Sequence, residues 1–199
     1  MTLPVIWQRS SEGLEIQKEI KETVATLPLT QWSRFEGTMP WYEWSCEAKE
    51  YRTTFDNQKL TVGRYAHVQD PDYQVCWGDS SHFLQGDAAK PIFELLDGRV
   101  SAAENTERPR VQSTLGSLPA SIETQSWARV TGEHSNSERF STSIGDIEIT
   151  VWKNSHGVIY GKERVEYGVA AVLKSGPIQV VERQDGEIAQ TLFERVQRL

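Results

Sequence analysis

The sequence predicts an α+β fold in which a unit of antiparallel strands followed by a helix occurs twice in tandem, preceded by an N-terminal helix. Three observations predict this fold. They are a helical apolar pattern near the N-terminus, alternating runs of β-forming residues in both halves, and four short segments that recur in the same order. Such a layout permits pseudo-twofold symmetry between the two units.

The N-terminal helix is predicted over residues 12–27. Apolar side chains recur there at helical spacing, at Ile16, Ile20, Val24 and Leu27. Ser11 is a suitable N-cap, and Pro28 cannot continue the helix.

Three strands and a helix are predicted to follow in the first unit. Residues 51–55 and 59–65 alternate between apolar and polar side chains and are joined by Asp56 and Asn57, which indicates a hairpin. Residues 72–77 form a further alternating run. A helix is predicted after Pro91, with its end at Gly98. Residues 1–100 therefore read as an N-terminal helix plus a β-β-β-α unit.

The rest of the chain is predicted to be a linker and a second unit. Residues 101–126 contain no aromatic side chain and are rich in Ser, Ala, Thr, Glu and Pro, which is typical of a linker. Residues 127–199 then read as a second unit of the type β-β-β-β-α. Its final helix carries a clear apolar stripe.

The second unit resembles the first in four collinear segments. The matched segments are 32–37 with 127–132, 51–64 with 140–153, 73–76 with 167–170, and 92–96 with 192–196. Four matches in one order indicate an internal repeat. The sequence leaves open whether the two units share one sheet, and close packing of the two is the favoured arrangement.

Composition restricts the classes of function. The 28 acidic and 21 basic residues give a net charge of −7, which disfavours binding to free duplex nucleic acid. No apolar run is long enough to span a membrane, and two cysteines are too few for a disulfide framework, so we expect a cytoplasmic protein. The common phosphate-loop, zinc and hydrolase motifs are missing, so no cofactor or metal is predicted. The oligomeric state is left open.

The densest group of reactive side chains lies within residues 76–87. It contains Cys76, Asp79, His82 and Asp87. A thiolate beside an imidazole can be a nucleophile with its base, and the acids with His82 can hold a metal. This group supports an alternative function, a metal-dependent or cysteine/histidine hydrolase. Cys76 aligns with Ala170, however, which indicates a small buried side chain in a strand.

Tryptophans supply the preferred functional prediction. Trp32 and Trp127 match between the units and are expected in the core. Trp41, Trp44 and Trp152 have no tryptophan at the equivalent place in the other unit, Trp152 aligns with Gly63, and Tyr42 adds a third aromatic between Trp41 and Trp44. Large aromatics are enriched at binding hot spots, so these four side chains are predicted to contact a protein partner. The chain is accordingly interpreted as a non-enzymatic binding or assembly module.

Two further interpretations remain open at this stage. Trp41 and Trp44 could instead pack against the N-terminal helix, which would leave no aromatic binding surface in the first unit. A groove between the two units could also hold a small ligand, since pockets often form at domain junctions.

Overall fold

The protein is described by a computed structural model. The described residues are 11–41, 44–66, 71–78, 82–130, 137–159 and 162–199. The chain divides into two compact units: unit 1 is Met1–Ala103 with Ser175–Ile178, and unit 2 is Glu104–Lys174 with Gln179–Leu199.

Unit 1 contains helix α1 (Ser11–Thr26), one five-stranded antiparallel sheet, called sheet 1, and the first part of helix α2 (Lys90–Ser121). The strands of sheet 1 are β1 (Ser33–Trp41), β2 (Trp44–Phe55), β3 (Gln58–Ala66), β4 (Pro71–Trp77) and β5 (His82–Gln85). They are hydrogen-bonded in the order in which they occur in the chain.

Unit 2 contains the second part of α2, from Glu104, a second sheet, called sheet 2, and helix α3 (Glu187–Val196). The strands of sheet 2 are β6 (Ala128–Val130), β7 (Ser137–Ile144), β8 (Ile147–Ile159), β9 (Lys162–Ser175) and β10 (Ile178–Asp185). The prediction of a mixed fold in which antiparallel strands are followed by a helix twice is confirmed. The described strands form two separate sheets.

The helices of unit 1 cover one side of sheet 1. Alternate strand residues point to the same side, and these positions carry the buried side chains Tyr51, Leu60, Val62, Val75 and Trp77. They pack with α1 and α2 in one apolar cluster, which includes Ile20, Val24, Ile92, Phe93 and Leu96. We call this the helix-facing side of the sheet, and the opposite side the outer face.

The hairpin predicted at residues 51–65 is present as β2 and β3. Its two loop residues, Asp56 and Asn57, have φ of 50° and 61°, a left-handed conformation that these residue types tolerate. The matching hairpin of unit 2 turns at Gly145, with φ of 63°. Both turns are two residues long, so the register of each hairpin is fixed.

Sheet 1 has two strands more than the three that were predicted. Strand β1 was missed because it contains Gly37 and Pro40, two residue types that usually indicate turns or loops. Pro is tolerated there because β1 lies at the edge of the sheet. Strand β5 is only four residues long. Sheet 2 likewise has five strands rather than four.

The prediction that the helix stops at Gly98 is wrong, because α2 continues to Ser121. Most of the predicted linker, residues 101–126, is therefore helical. The buried residues Val111, Leu115 and Leu118 recur at helical spacing and give this part of α2 an apolar side. The polar composition of the segment and two prolines within it, Pro109 and Pro119, obscured that pattern.

The two sheets share the registers of their hairpins. The matching cross-strand pairs are Arg34 with Tyr51 and Arg129 with Phe140, then Val62 with Val75 and Val151 with Val169. Residues at the same register position are called equivalent below. Equivalent residues are 95 positions apart in β1 and β6, 89 in β2–β3 and β7–β8, and 94 in β4 and β9.

An aromatic triad joins helix and sheet in unit 1. The Phe93 ring on α2 lies 5.9 Å from the Tyr51 ring on β2 and 5.5 Å from the Tyr73 ring on β4. Such separations are typical of stacked or tilted aromatic pairs, so the three rings fix the position of this part of the helix over the sheet.

Unit 2 contains the equivalent triad. The Phe193 ring on α3 lies 5.7 Å from the Phe140 ring on β7 and 5.7 Å from the Tyr167 ring on β9. Phe140 is equivalent to Tyr51, and Tyr167 to Tyr73. The same three places on the fold are therefore used in both units.

Candidate functional site

The outer face of sheet 1 encloses a buried carboxylate. Glu50 on β2 is only 3% exposed, and its Oε1 accepts a hydrogen bond of 2.5 Å from the Tyr65 hydroxyl on β3. Arg52 Nε donates to Glu50 Oε2 over 2.7 Å. Burial, together with the neighbouring Glu50 carboxylate, raises the pKa of Tyr65 well above its ordinary value, so Tyr65 remains a neutral donor.

Apolar side chains surround this carboxylate on the outer face. Tyr65 packs in a cluster with Cys46 and Ala48 of β2 and with Phe35 and Met39 of β1. The Arg52 guanidinium lies 5.7 Å from the centre of the Phe35 ring. Around Glu50 the outer face of sheet 1 is thus filled by the side chains of its own strands, whereas an open groove lies further along the same face, beside Ser33, Arg52 and Thr61.

The outer face of sheet 2 has an open groove at the strand positions equivalent to those around Glu50. Its volume is about 360 Å³, and its lining side chains are Arg139, Thr150, Trp152, Asn154, Glu166 and Arg183. A volume near 300 Å³ is at the lower end of the range for small-molecule sites in proteins. A groove of this size and polarity can accept a small polar ligand.

Trp152 forms the floor of this groove because it lies opposite a glycine. Gly168 on β9 pairs with Trp152, and a Cβ on Gly168 would lie 2.1 Å from Cζ2 of the indole. Only glycine leaves room for the ring at this position. The guanidinium carbon of Arg183 lies 4.9 Å from the centre of the ring, a cation–π contact.

Two arginines at the groove are held through their Nε atoms. Arg139 Nε donates to Ser137 Oγ over 3.1 Å, and Arg183 Nε donates to Asp185 Oδ1 over 2.8 Å. Neither guanidinium uses its terminal Nη groups in a hydrogen bond with any described residue. The groove therefore presents two oriented pairs of donors, the geometry with which arginine binds carboxylates and phosphates.

The remaining polar groups of the groove include one acid. Glu166 Oε2 lies 3.1 Å from His156 Nε2. Asn154 accepts a hydrogen bond of 2.8 Å from Ser137 through Oδ1, which leaves the amide Nδ2 as a donor. Two arginines and one glutamate give the six lining residues a formal charge of +1, and Asp185, which pairs with Arg183 beside the groove, offsets that charge.

The residues predicted around position 76 are spread over three elements. Cys76 lies on β4 in register with Phe83, and His82 begins β5 in register with Trp77. Asp87 is exposed in a short 3₁₀ helix, and Asp79 lies outside the described residues.

The surroundings of Cys76 disfavour an ionised thiol. Burial, with the charge of Glu50, raises the pKa of the Cys76 thiol, whereas an activated nucleophile has a lowered pKa. Among the described residues, no three or more His, Cys, Asp or Glu side chains are grouped so that they could hold a metal ion.

The predicted aromatic contacts lie in both units. Trp41 ends β1 and is in register with Trp44 at the start of β2, while Tyr42 lies outside the described residues. Trp152 is half-buried in the groove of unit 2.

No motif in the sequence singled out Glu50, Tyr65, Arg139 or Arg183. Extension of the matched segment by one residue at each end would have aligned Glu50 with Arg139 and Tyr65 with Asn154. No comparable signal marks Arg183, because its place beside Trp152 depends on the pairing of β10 with β9.

In the described part of the chain, no helix combines the length and the apolar character needed to cross a membrane. Comparison with protein-family models, with curated proteins and with solved structures found no match to this chain.

Proposed function

We propose that the chain is a non-enzymatic protein-binding or assembly module, and that it contacts its partner with the aromatic tip of the β1–β2 hairpin. The aromatic tip is defined as Trp41, Tyr42 and Trp44. Large aromatic side chains dominate binding energy at protein interfaces when they are close together in sequence and space. The acidic character of the chain favours a partner with a basic surface.

The observation that carries this proposal is a difference in hairpin length between the units. Arg34 and Arg129 are 95 positions apart, whereas Tyr51 and Phe140 are 89 apart, so unit 1 has six more residues between its matching positions. The aromatic tip lies within this longer stretch. The corresponding stretch of unit 2, residues 130–139, contains no Trp, Tyr or Phe in its sequence, so the aromatic tip is specific to unit 1.

We also propose that the two units arose by tandem duplication and retain pseudo-twofold symmetry. The equivalent aromatic triads support this proposal, and so do two arginine contacts. Arg99 donates to the carbonyls of Val24 and Leu27 at the end of α1, and Arg195 donates to the carbonyl of Pro119 over 2.7 Å. Val24 and Pro119 are 95 positions apart, the spacing that also relates β1 to β6.

Affinity capture tests the binding proposal. The double variant Trp41→Ala/Trp44→Ala is compared with the parent protein in capture from the native lysate, followed by mass spectrometry. We expect a partner that the parent retains and the double variant loses, with a melting temperature within about 2 °C of the parent, because the proposal assigns these side chains to binding rather than to the core.

A matched control is Phe55→Ala, which removes an exposed aromatic at the turn of the neighbouring hairpin in the same sheet. This variant should retain the partner. The proposal fails if the double variant captures the same partner as the parent, if the parent captures nothing, or if the double variant unfolds.

A further inference from the structure

The groove of unit 2 lies where unit 1 buries its own carboxylate. Five of the six lining residues have equivalents on the outer face of sheet 1. Thr150 with Thr61 and Glu166 with Asp72 are chemically alike, and the pairs that differ are Arg139 with Glu50, Trp152 with Gly63, and Asn154 with Tyr65. The two outer faces thus share a framework and differ in what occupies it.

In unit 1 this place on the outer face of the sheet holds a carboxylate, that of Glu50. The Glu50 carboxylate is nearly inaccessible to solvent, and a tyrosine hydroxyl and an arginine both donate to it. A buried charge is stable only when such donors compensate for its lost hydration. In unit 1 the chain therefore supplies both the carboxylate and its donors.

Unit 2 has two arginines at this place, and the carboxylates near them are those of Glu166, which lines the groove, and Asp185, which accepts from Arg183 Nε. Arg139 replaces Glu50, so the acid has been exchanged for a base, and Arg183 adds a second guanidinium over the Trp152 ring. The indole packs against Gly168, and one hydrogen bond at Nε orients each of the two exposed guanidinium groups.

We propose that the groove on the outer face of sheet 2 binds a small organic acid, whose carboxylate accepts hydrogen bonds from the Nη groups of Arg139 and Arg183. The ligand carboxylate accepts hydrogen bonds in unit 2 as the Glu50 carboxylate does in unit 1. A volume of about 360 Å³ fits a small molecule rather than a folded partner. This site is independent of the aromatic tip.

Glu166 restricts the kind of acid that binds. Its carboxylate lies at the groove beside His156, so a second negative charge on the ligand would meet repulsion there. A monocarboxylate with a short apolar or hydroxylated chain fits best, because Trp152 offers apolar surface and Thr150 and Asn154 offer polar contacts.

The test is a titration of isotope-labelled full-length protein with propionate, which reproduces the Glu side chain beyond Cα, followed by NMR. The Trp152 indole N–H and the Arg183 Nε–H signals are monitored at low ionic strength. We expect saturable shifts with a dissociation constant on the order of millimolar, since a ligand of five heavy atoms can contribute only a few kcal/mol. Propionamide, which has the same shape without the charge, should produce no saturable shift.

Charge-matched variants locate the site. Arg183→Gln should weaken propionate binding at least tenfold, whereas Arg198→Gln, at the exposed end of the chain in the same unit, should leave it unchanged. The double variant Arg139→Glu/Asn154→Tyr copies the Glu50 and Tyr65 pair into unit 2 and should abolish binding while the protein stays folded by circular dichroism.

Several results would overturn the proposal. They are the absence of a saturable shift with propionate, equal shifts with propionamide, phosphate binding as tight as propionate binding, and an unchanged dissociation constant in Arg183→Gln. Binding of the capped peptide acetyl-Ala-Glu-Ala-amide tenfold tighter than propionate would also contradict a small-molecule ligand, because it would identify an acidic protein segment as the occupant.

Discussion

Unit 1 and unit 2 are built alike on their helix-facing sides and differ on their outer faces. Phe93 and Phe193 each pack on two aromatic rings at equivalent strand positions. On the outer face, Glu50 of one unit has Arg139 as its equivalent in the other. Close-packed positions tolerate little change in shape, whereas an outer face can exchange charge and size more freely. The two units thus have a common framework and different outer faces.

One polar contact between strand and helix occurs at the same positions in both units but with different residue types. Lys49 on β2 forms an ion pair of 2.6 Å with Asp97 on α2, which also accepts a hydrogen bond of 2.6 Å from Tyr51. In unit 2 the matching strand and helix positions hold Glu138 and Gln197, whose side chains lie 3.3 Å apart. The positions remain in contact although the chemistry of the contact has changed.

The largest effect is expected from the phenylalanines of the two triads. Phe93→Ala and Phe193→Ala each remove a nearly fully buried ring, so each should lower the free energy of unfolding by about 3–5 kcal/mol. Because the triads are equivalent, the two losses should be similar. Urea unfolding followed by circular dichroism measures both.

Ile188→Ala serves as the control for this pair, since Ile188 on α3 is 55% exposed and its truncation should change stability by less than about 0.5 kcal/mol. A loss below about 1 kcal/mol in one phenylalanine variant and a full loss in the other would show that the triads differ in their importance for stability.

The sequence predicted the framework better than it predicted the surfaces. Tyr51, Phe140 and the residues around Phe93 were matched because packing preserves aromatic and apolar side chains at fixed spacing. The second half of α2 was misread because its apolar positions, Val111, Leu115 and Leu118, are separated by Ser, Thr, Gly and Pro. The local composition indicated a linker, whereas the spacing of the apolar residues indicates a helix.

The groove could be predicted only in part. The exchange of Gly63 for Trp152 is visible in the alignment of the two halves, and it marks a place where one outer face differs from the other. The partner of Trp152, Gly168, and the guanidinium above it come from neighbouring strands. Such neighbours depend on strand order and register, which alternation within one strand does not specify.

The next effect in size is expected at Asp97. Burial would raise the pKa of this carboxyl, but the hydrogen bonds from Lys49 and Tyr51 outweigh burial and lower the pKa below its ordinary value. A lowered pKa in the folded state stabilises the protein above the pKa of the unfolded state, about 3.9, and this contribution is lost as the pH falls through the folded pKa. Asp97→Asn should therefore cost about 1–2 kcal/mol at pH 7, discounted for partial exposure, and progressively less below about pH 4.

Urea unfolding of the parent and Asp97→Asn between pH 7 and pH 3.5 measures this dependence. Asp87→Asn removes an exposed carboxyl in the same unit and should change stability by no more than about 0.5 kcal/mol throughout. A difference between parent and Asp97→Asn that stays constant over this pH range would exclude the ionised carboxylate as the cause.

The smallest effect on the free energy of unfolding is expected from the indole N–H groups of Trp32 and Trp127, the two tryptophans that match between the units. Trp127 Nε1 donates to the Ile122 carbonyl over 2.9 Å, but the equivalent carbonyl of Leu27 accepts a hydrogen bond from Arg99, and Trp32 Nε1 has no partner among the described residues. Trp32 is nevertheless only 2% exposed. An indole N–H without an acceptor costs free energy when it is buried, whereas one with an acceptor contributes to stability.

Replacement of each tryptophan by β-(3-benzothienyl)alanine removes the N–H and keeps the shape of the ring. At Trp127 this change should lower the free energy of unfolding by about 1 kcal/mol, and at Trp32 it should leave stability unchanged or raise it by up to about 1 kcal/mol. Thermal and urea unfolding of the two semisynthetic proteins measure the signs. Opposite signs would show that a residue pair preserved in sequence and position has different energetic roles in the two units, while equal losses would mean that Trp32 has an acceptor in solution.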